Sequence, residues 1–333
     1  MTIKGGKPGK TIALRADFDA LPIFEETDVP FKSKNEGVMH ACGHDAHTAY
    51  LLILADCLIQ LKDSIAGTIK IIHQHAEETP PGGAKSIVES GLLDDVDQIF
   101  GIHLFPTHPV GYIGYRSGFA YAGRSFFKLI VKGVGGHGSS PHMANDSIVA
   151  ASYFVTAIQT VISRRLNPFD QGVITIGSFD GKGTFNVIKD SVELEGDVRY
   201  MTVENQQLLA KEIQRIVNGL EETFDVKCEL DYTFDYPPLY NDPKVTEGVV
   251  EILQSTNDPD ITEVGEYPML SGSEDFAYYL EKIPGCFFVV GCKPKGVENA
   301  YFNHHPKFDI DEDCLLVAAK AVGHIVASHC GDN

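Results

Sequence analysis

Along the first hundred residues, short apolar runs alternate with polar turns, and one longer stretch between them changes to a helical period. Residues 11–16, 67–72 and 97–104 are largely apolar and each runs into polar or turn-forming residues, which predicts buried strands. Between the first two, Tyr50, Leu51, Leu54, Cys57, Leu58 and Leu61 recur at i, i+3, i+4 and i+7, the stripe of an amphipathic helix. From residue 124 the pattern changes. Residues 124–132 alternate as a strand, Asn145-Asp146 caps an apolar helix reaching residue 164, and strands follow at 173–179 and 191–200. Thr202 caps a further helix to residue 223, and 226–232 is a last strand. The order β-α-β-β-α-β is that of a ferredoxin-like α+β unit, complete in itself. Pro237-Pro238 and Asn241-Asp242-Pro243 mark a return, with a helix at 244–254, a strand at 286–290 and a final apolar helix from Asp311. The predicted division is therefore an α/β domain in two parts, 1–120 and 233–333, interrupted by an inserted domain at 121–232.

Composition sets limits on partners. A chain of 333 residues is long for one simple core, which agrees with an insertion. Hydrophobic content of 43% with 22% charged residues is ordinary for a soluble globular protein. A formal net charge of −19 argues against nucleic acid, whose phosphates need a basic footprint. Seven cysteines, an odd number without a C-x-x-C pair, predict a reducing, cytoplasmic setting rather than a disulfide framework. Residues 1–10 lack the apolar core of a signal peptide, and no uninterrupted apolar run approaches bilayer-spanning length, so no membrane partner is expected.

Candidate chemistry gathers at the ends of the predicted strands. His40-Ala41-Cys42-Gly43-His44-Asp45-Ala46-His47 stands directly before the first helix. Thiolate and imidazole are ligands for borderline transition metals, and a helix N-terminus helps to stabilise a thiolate. A metal held by Cys42 and His44 needs further ligands from distant parts of the chain. Asp17 and Asp19 close the first strand, either as turn residues or as part of a site at the carboxyl edge of a sheet, where α/β proteins place their chemistry. Glu77 and Glu78 share a site only where the alternation of strand faces breaks down, as it does before Thr79-Pro80-Pro81-Gly82-Gly83; otherwise they are a solvated acidic strand end. His103, at the third strand end, reads as a core histidine or as a ligand. His324 and His329 lie in a helical context and read as structural.

Five motifs stand together: His40-Ala41-Cys42-Gly43-His44-Asp45, Ala76-Glu77-Glu78, Gly101-Ile102-His103, the stretch from Gly135 to His142 containing His137, and His304-His305-Pro306. In order and approximate spacing the chain resembles, over nearly its whole length, the metal-dependent amidohydrolases that include aminoacylases, hippurate hydrolase, N-acetyldiaminopimelate deacetylase and the plant auxin-conjugate hydrolases. The resemblance implies a zinc-peptidase-like α/β catalytic domain with an inserted ferredoxin-like lid that also mediates homodimerisation. It implies two divalent ions, zinc, manganese, cobalt or nickel, held by Cys42, His44, Glu78, His103 and His304. Cys42 would take the bridging position that is an aspartate in related carboxypeptidases and dipeptidases.

The same resemblance makes Glu77 the general base and His137 the donor to a developing oxyanion, from its own or the partner subunit. Asn186 and Arg199 stand at positions resembling those that hold a substrate carboxylate, a task that suits a guanidinium, although Arg199 reads equally as a surface arginine. Gly272 would line the pocket. Where related peptidases carry a His-x-Asp ligand motif, this chain has Asp17-Phe18-Asp19; Asp19 keeps the carboxylate that orients a ligand, and Asp17 replaces the ligand. The implied reaction is hydrolysis of an N-acyl (N-acetyl or aroyl) amino acid to a carboxylate and a free amino acid. The alternatives are a dipeptidase or carboxypeptidase of the same superfamily, and a catalytically silent metal-binding scaffold. Family members usually carry some tens of mostly helical residues before the first strand, so the start of this chain is expected to be truncated or misassigned, leaving a sheet edge exposed.

Overall fold

The computed structural model describes residues 1–331. In chain order the first elements are β1 (Thr2–Lys4), β2 (Lys7–Asp17), α1 (His44–Gln60), β3 (Ala66–Gln74), α2 (Gly83–Glu89), β4 (Gln98–Phe105), β5 (Tyr112–Tyr115) and β6 (Gly118–Tyr121). Next come β7 (Gly123–Lys132), β8 (Gly136–His137), α3 (Ser147–Arg164), β9 (Gly172–Asp180), β10 (Val187–Ile188), β11 (Ser191–Tyr200), α4 (Val203–Phe224) and β12 (Lys227–Phe234). The chain ends with β13 (Leu239–Asn241), α5 (Pro243–Ser255), β14 (Glu263–Glu266), α6 (Ala277–Leu280), β15 (Gly285–Gly291) and α7 (Asp313–Cys330). Two units result. The first comprises Met1–Ala120, Leu239–Met269 and the chain from Asp275 onward; the second comprises Tyr121–Pro238 and Leu270–Glu274.

The first unit is an α/β unit around a seven-stranded sheet of order β1-β3-β2-β4-β15-β5-β14. β2 pairs in parallel with β3 and β4, and β4 with β15, while β1 and β5 run antiparallel to β3 and β15. The apolar runs read from the sequence form its centre. Ile12, Leu14, Ile69, Ile71, Phe100, Ile102, Phe288 and Val290 are buried against Leu51, Leu54 and Leu58 of α1 and against Val317, Ala321 and Ile325 of α7. By length and composition α7 is apolar enough to cross a membrane, but its stripe lies in this core. β2 pairs with β3 as far as Asp17↔Gln74, yet with β4 only as far as Arg15↔Gly101. Beyond that rung β2 and β4 part, which opens the carboxyl edge of the sheet.

The second unit is ferredoxin-like. Its four-stranded antiparallel sheet has the order β12-β7-β11-β9, with α3 and α4 packed on it. Phe127, Leu129, Val131, Leu194 and Val198 from the sheet are buried with Phe154 and Ile158 of α3 and Leu209, Ile213 and Val217 of α4. Asp146 caps α3 through Ile148 N–H and Val149 N–H, and Thr202 caps α4 through Asn205 N–H. The segment around Gly272 joins this unit because Ala122 N–H donates to the carbonyls of Leu270 and Gly272, both at 3.0 Å.

Candidate metal centre

Three strands of the first unit deliver polar side chains to the same sheet edge. Asp17 ends β2, Glu77 and Glu78 follow β3 closely, and His103 lies near the end of β4. His44 is the first residue of α1, reached through Gly43, whose φ of 91° is left-handed and costs a glycine little. Ala76 (φ 53°) and His304 (φ 71°) adopt the same region without being glycine. Such strain persists only where the surroundings impose it, and it concentrates at functional sites. The turn at Ala76 breaks the strand alternation just before Glu77 and Glu78. His304 N–H donates to Ala41 O at 2.7 Å, which ties its loop to the Cys42 motif.

The donors form two triads with one shared member. The Cys42 Sγ lies within 4.8 Å of ring nitrogens of His44 and His103, and it forms a second such group with Glu78 and His304. Cys42 Sγ stands 3.4 Å from His103 Nε2, and His304 Nε2 stands 2.9 Å from Glu78 Oε1. His44, Glu77 and Glu78 make a further group. The imidazoles are oriented for binding. His103 Nδ1 donates to Leu104 O at 2.9 Å, which leaves Nε2 as the lone-pair nitrogen. His44 Nδ1 faces Asp19 Oδ1 at 3.1 Å, and its buried Nε2 has no hydrogen-bond partner.

The electrostatics favour a cation. Burial opposes charge on His44, but Asp17, Asp19 and Glu78 surround it and hold its pKa up to about 9. Burial, with His47 and His44 close by, keeps His103 well below the usual histidine range and therefore neutral. Burial and then Glu78, Glu77 and Asp17 push the Cys42 thiol well above its usual value. A divalent ion reverses that last effect, since a coordinating thiol is deprotonated. The unpartnered His44 nitrogen, the clustered carboxylates and the mixture of N, S and O donors all fit divalent transition-metal ions.

Around the donors lies a scaffold that the sequence showed only in part. Asp19 accepts from His44 through Oδ1 and from Glu78 N–H, at 2.9 Å, through Oδ2, so one carboxylate serves both triads. Arg15, a charge inside an apolar strand, is fully buried; it donates to Asp17 at 2.7 Å, Asp275 at 2.9 Å and Gln74 at 2.9 Å. Burial alone would raise the Asp17 carboxyl, but Arg15, His44 and His47 hold it well below the carboxylate range. Asn303 Nδ2 donates to Cys42 O at 3.1 Å and Leu104 O at 3.3 Å. His305 stacks on Tyr301 at 4.2 Å, and among the described residues neither it nor His40 belongs to a donor group.

His137, Asn186, Arg199 and Gly272 all belong to the second unit. His137 Nδ1 accepts from Ser139 Oγ at 2.8 Å and Ser139 N–H at 3.2 Å, which leaves Nε2–H as an exposed donor. His137 and Asn186 line one cavity of about 690 Å³ on β8 and β10. The Arg199 Nε pairs with Asp197 at 2.7 Å, and its Nη1 donates to Ser273 Oγ at 2.7 Å, beside Gly272.

The sequence profile of the peptidase family M20/M25/M40 matches residues 13–328. The chain belongs to that family. Among similar proteins, thermostable carboxypeptidase 1 of Saccharolobus solfataricus is 42% identical over 96% of this chain and 80% of its own length. The N-acetyl-L-cysteine deacetylase of Bacillus subtilis is 38% identical over 95% of this chain and 74% of its own. The crystal structure of Bacillus subtilis YXEP, described as a dinuclear metal binding peptidase of the M20 family, matches with a TM-score of 0.83 at 34% identity, covering 98% of this chain and 83% of that one. These M20 similarities agree with the amidohydrolase resemblance of the motifs, and the chain is a metal-dependent hydrolase of the family.

Proposed function

We propose that this enzyme hydrolyses the amide bond of an N-acyl amino acid, releasing a carboxylate and a free amino acid. The observation that carries the reading is the sharing of Cys42 between two donor triads, with Glu77 beside them. Cys42, His44 and His103 would hold one divalent ion, and Cys42, Glu78 and His304 the other; zinc, manganese, cobalt and nickel all suit such donors. Bound there, the ions supply a Lewis acid for the scissile carbonyl and lower the pKa of water from about 16 toward about 7. Glu77 takes the proton of the attacking water and passes it to the leaving amine. The Nε2–H of His137 donates to the developing oxyanion. Asn186 and Arg199 hold the substrate carboxylate, and the open face of Gly272, where an added Cβ would meet nothing within 4 Å, leaves room beside it.

A deacetylase among the relatives supports this reading, and a carboxypeptidase among them supports the alternative of peptide hydrolysis. The same reading makes the enzyme a homodimer through its second unit. It belongs in the cytoplasm, where its free cysteines stay reduced. A panel of N-acetyl and N-aroyl amino acids beside dipeptides, each with added zinc, manganese, cobalt or nickel, tests it. Turnover of the acyl amino acids over the dipeptides is expected; turnover of dipeptides alone would transfer the reading to the peptidase alternative.

A further inference from the structure

Past the Arg15↔Gly101 rung, β2 and β4 no longer pair, and side chains hold the backbone N–H and carbonyl of Leu104 instead. Its N–H donates to His47 Nε2 at 3.0 Å. Its carbonyl accepts from His103 Nδ1 at 2.9 Å and from Asn303 Nδ2 at 3.3 Å. The other nitrogen of His47, Nδ1, donates to Asp17 Oδ1 at 2.6 Å, and Asp17 Oδ2 takes Arg15 Nη1 at 2.7 Å. His47, Asp17 and Arg15 are fully buried. A backbone N–H can only donate, so the tautomer of His47 is fixed with the proton on Nδ1. Both ring nitrogens are thus occupied, and the ring itself packs edge-on to His103 with 4.8 Å between centroids.

An apolar side chain would fill this volume without the need to satisfy two buried polar atoms. The chain of buried partners instead ends on the backbone of Leu104, the residue after His103, whose N–H is held by His47 and whose carbonyl accepts from His103 Nδ1. We propose that His47 is a positioning residue of the metal centre: through the backbone of Leu104 it sets the reach of His103 Nε2 toward Cys42 Sγ, and Arg15 and Asp17 hold it in the tautomer that does so. The inference rests on the reading of Cys42, His44 and His103 as ligands, and it assigns His47 a task distinct from theirs. Partners of this kind are worth about 10- to 100-fold in metal affinity.

The test is a titration of the metal-free full-length protein with zinc against a competing chelator, in wild type, His47→Leu and His47→Gln. His47→Leu removes both hydrogen bonds and is expected to weaken one of two bound equivalents by about 10- to 100-fold. The Gln side chain can place its Oε1 near the His47 Nε2 position and accept from Leu104 N–H, so His47→Gln is expected to recover most of that loss. Wild-type affinity at both equivalents in His47→Leu overturns the proposal, as does equal weakening in the Leu and Gln variants. If His47→Leu does not fold, His47→Asn replaces it: Asn can donate to Asp17 but falls short of Leu104 N–H, and unchanged zinc binding there overturns the proposal as well. A wild type that bound no zinc would refute the metal reading itself. That outcome is separate from a wild type with two ions and an unaffected variant.

Discussion

Replacing Asp19 with Asn tests whether one carboxylate serves both triads. The carboxylate accepts two hydrogen bonds, from His44 Nδ1 and from Glu78 N–H. Burial alone would raise its pKa, but the bond from His44 and the contact with Glu78 N–H keep it lowered, so it stays ionised at neutral pH. An amide offers one acceptor oxygen, and its NH₂ would face a donor at the other position. Leaving one part-buried donor unmatched costs about 1–3 kcal/mol. At about 1.4 kcal/mol per decade, that predicts roughly 5- to 150-fold weaker metal binding. The lost negative charge acts in the same direction. Chelator competition measures the affinity, and activity measured against rising metal should return toward wild type as the sites fill. An Asp19→Asn protein that is fully folded and binds both equivalents within about twofold of wild type would refute the argument that this carboxylate orients the ligands.

Glu77→Gln should retain both metal ions and lose about 10²- to 10⁴-fold in kcat, and substantial retained turnover at full metal loading would remove Glu77 as the base. Cys42→Ser should lower metal content below two per chain by elemental analysis; unchanged stoichiometry would take the thiol out of both triads. In the first unit, Asp258 accepts from Lys320 at 2.8 Å and lies 3.2 Å from His324. The bond from Lys320, opposed by burial and aided by Asp260 N–H and His324, lowers its pKa to about 2. A depressed carboxyl contributes stability above its unfolded value near 4 and loses it as pH falls through about 2. The full shift corresponds to about 2 to 3 kcal/mol, and solvent screening at the partly exposed Lys320 reduces the expectation to about 1 kcal/mol. Asp258→Asn should therefore destabilise by that amount at pH 7 in a denaturant melt, with the difference shrinking between about pH 4 and 2; a gap that persists to pH 2 contradicts the assignment.

Elements whose cause is local were legible in the sequence. α3 and α4 carry their own caps, Asp146 and Thr202, and β11 follows from strict alternation. β5 and β14 are four residues each and owe their strand form to distant partners, β14 to β5 and β5 also to β15, a pairing of residues 112–115 with 263–266 and 289–290 that no local window contains. No helix is read from the sequence at α2, which begins at the end of the turn at 79–83, yet Ala84 N–H is held by Asp275 Oδ2 at 3.0 Å. At the site, Glu77, Glu78 and His103 stand out at strand ends and Cys42 and His44 before the first helix, while their grouping with His304 came from the resemblance of the motifs. Arg15 did not stand out, because its meaning lies in Asp275, far along the chain. Nor did Asn303, whose contacts are the carbonyls of Cys42 and Leu104, or the left-handed backbone at Ala76 and His304.

The two triads differ in their access to water. Cys42, His44 and His103 are all buried, whereas the His304 side chain is 51% exposed on a strained backbone residue. On the proposed reading, an ion in the first triad must disturb packed protein in order to leave, and an ion in the second can exchange one exposed imidazole for solvent. The consequence is a difference in residence time: dialysis against plain buffer should strip one equivalent quickly and the other slowly, passing through a singly loaded enzyme. Such a species would regain activity within the time of mixing when metal is returned, because the ion that holds Cys42 between the two triads would never have left.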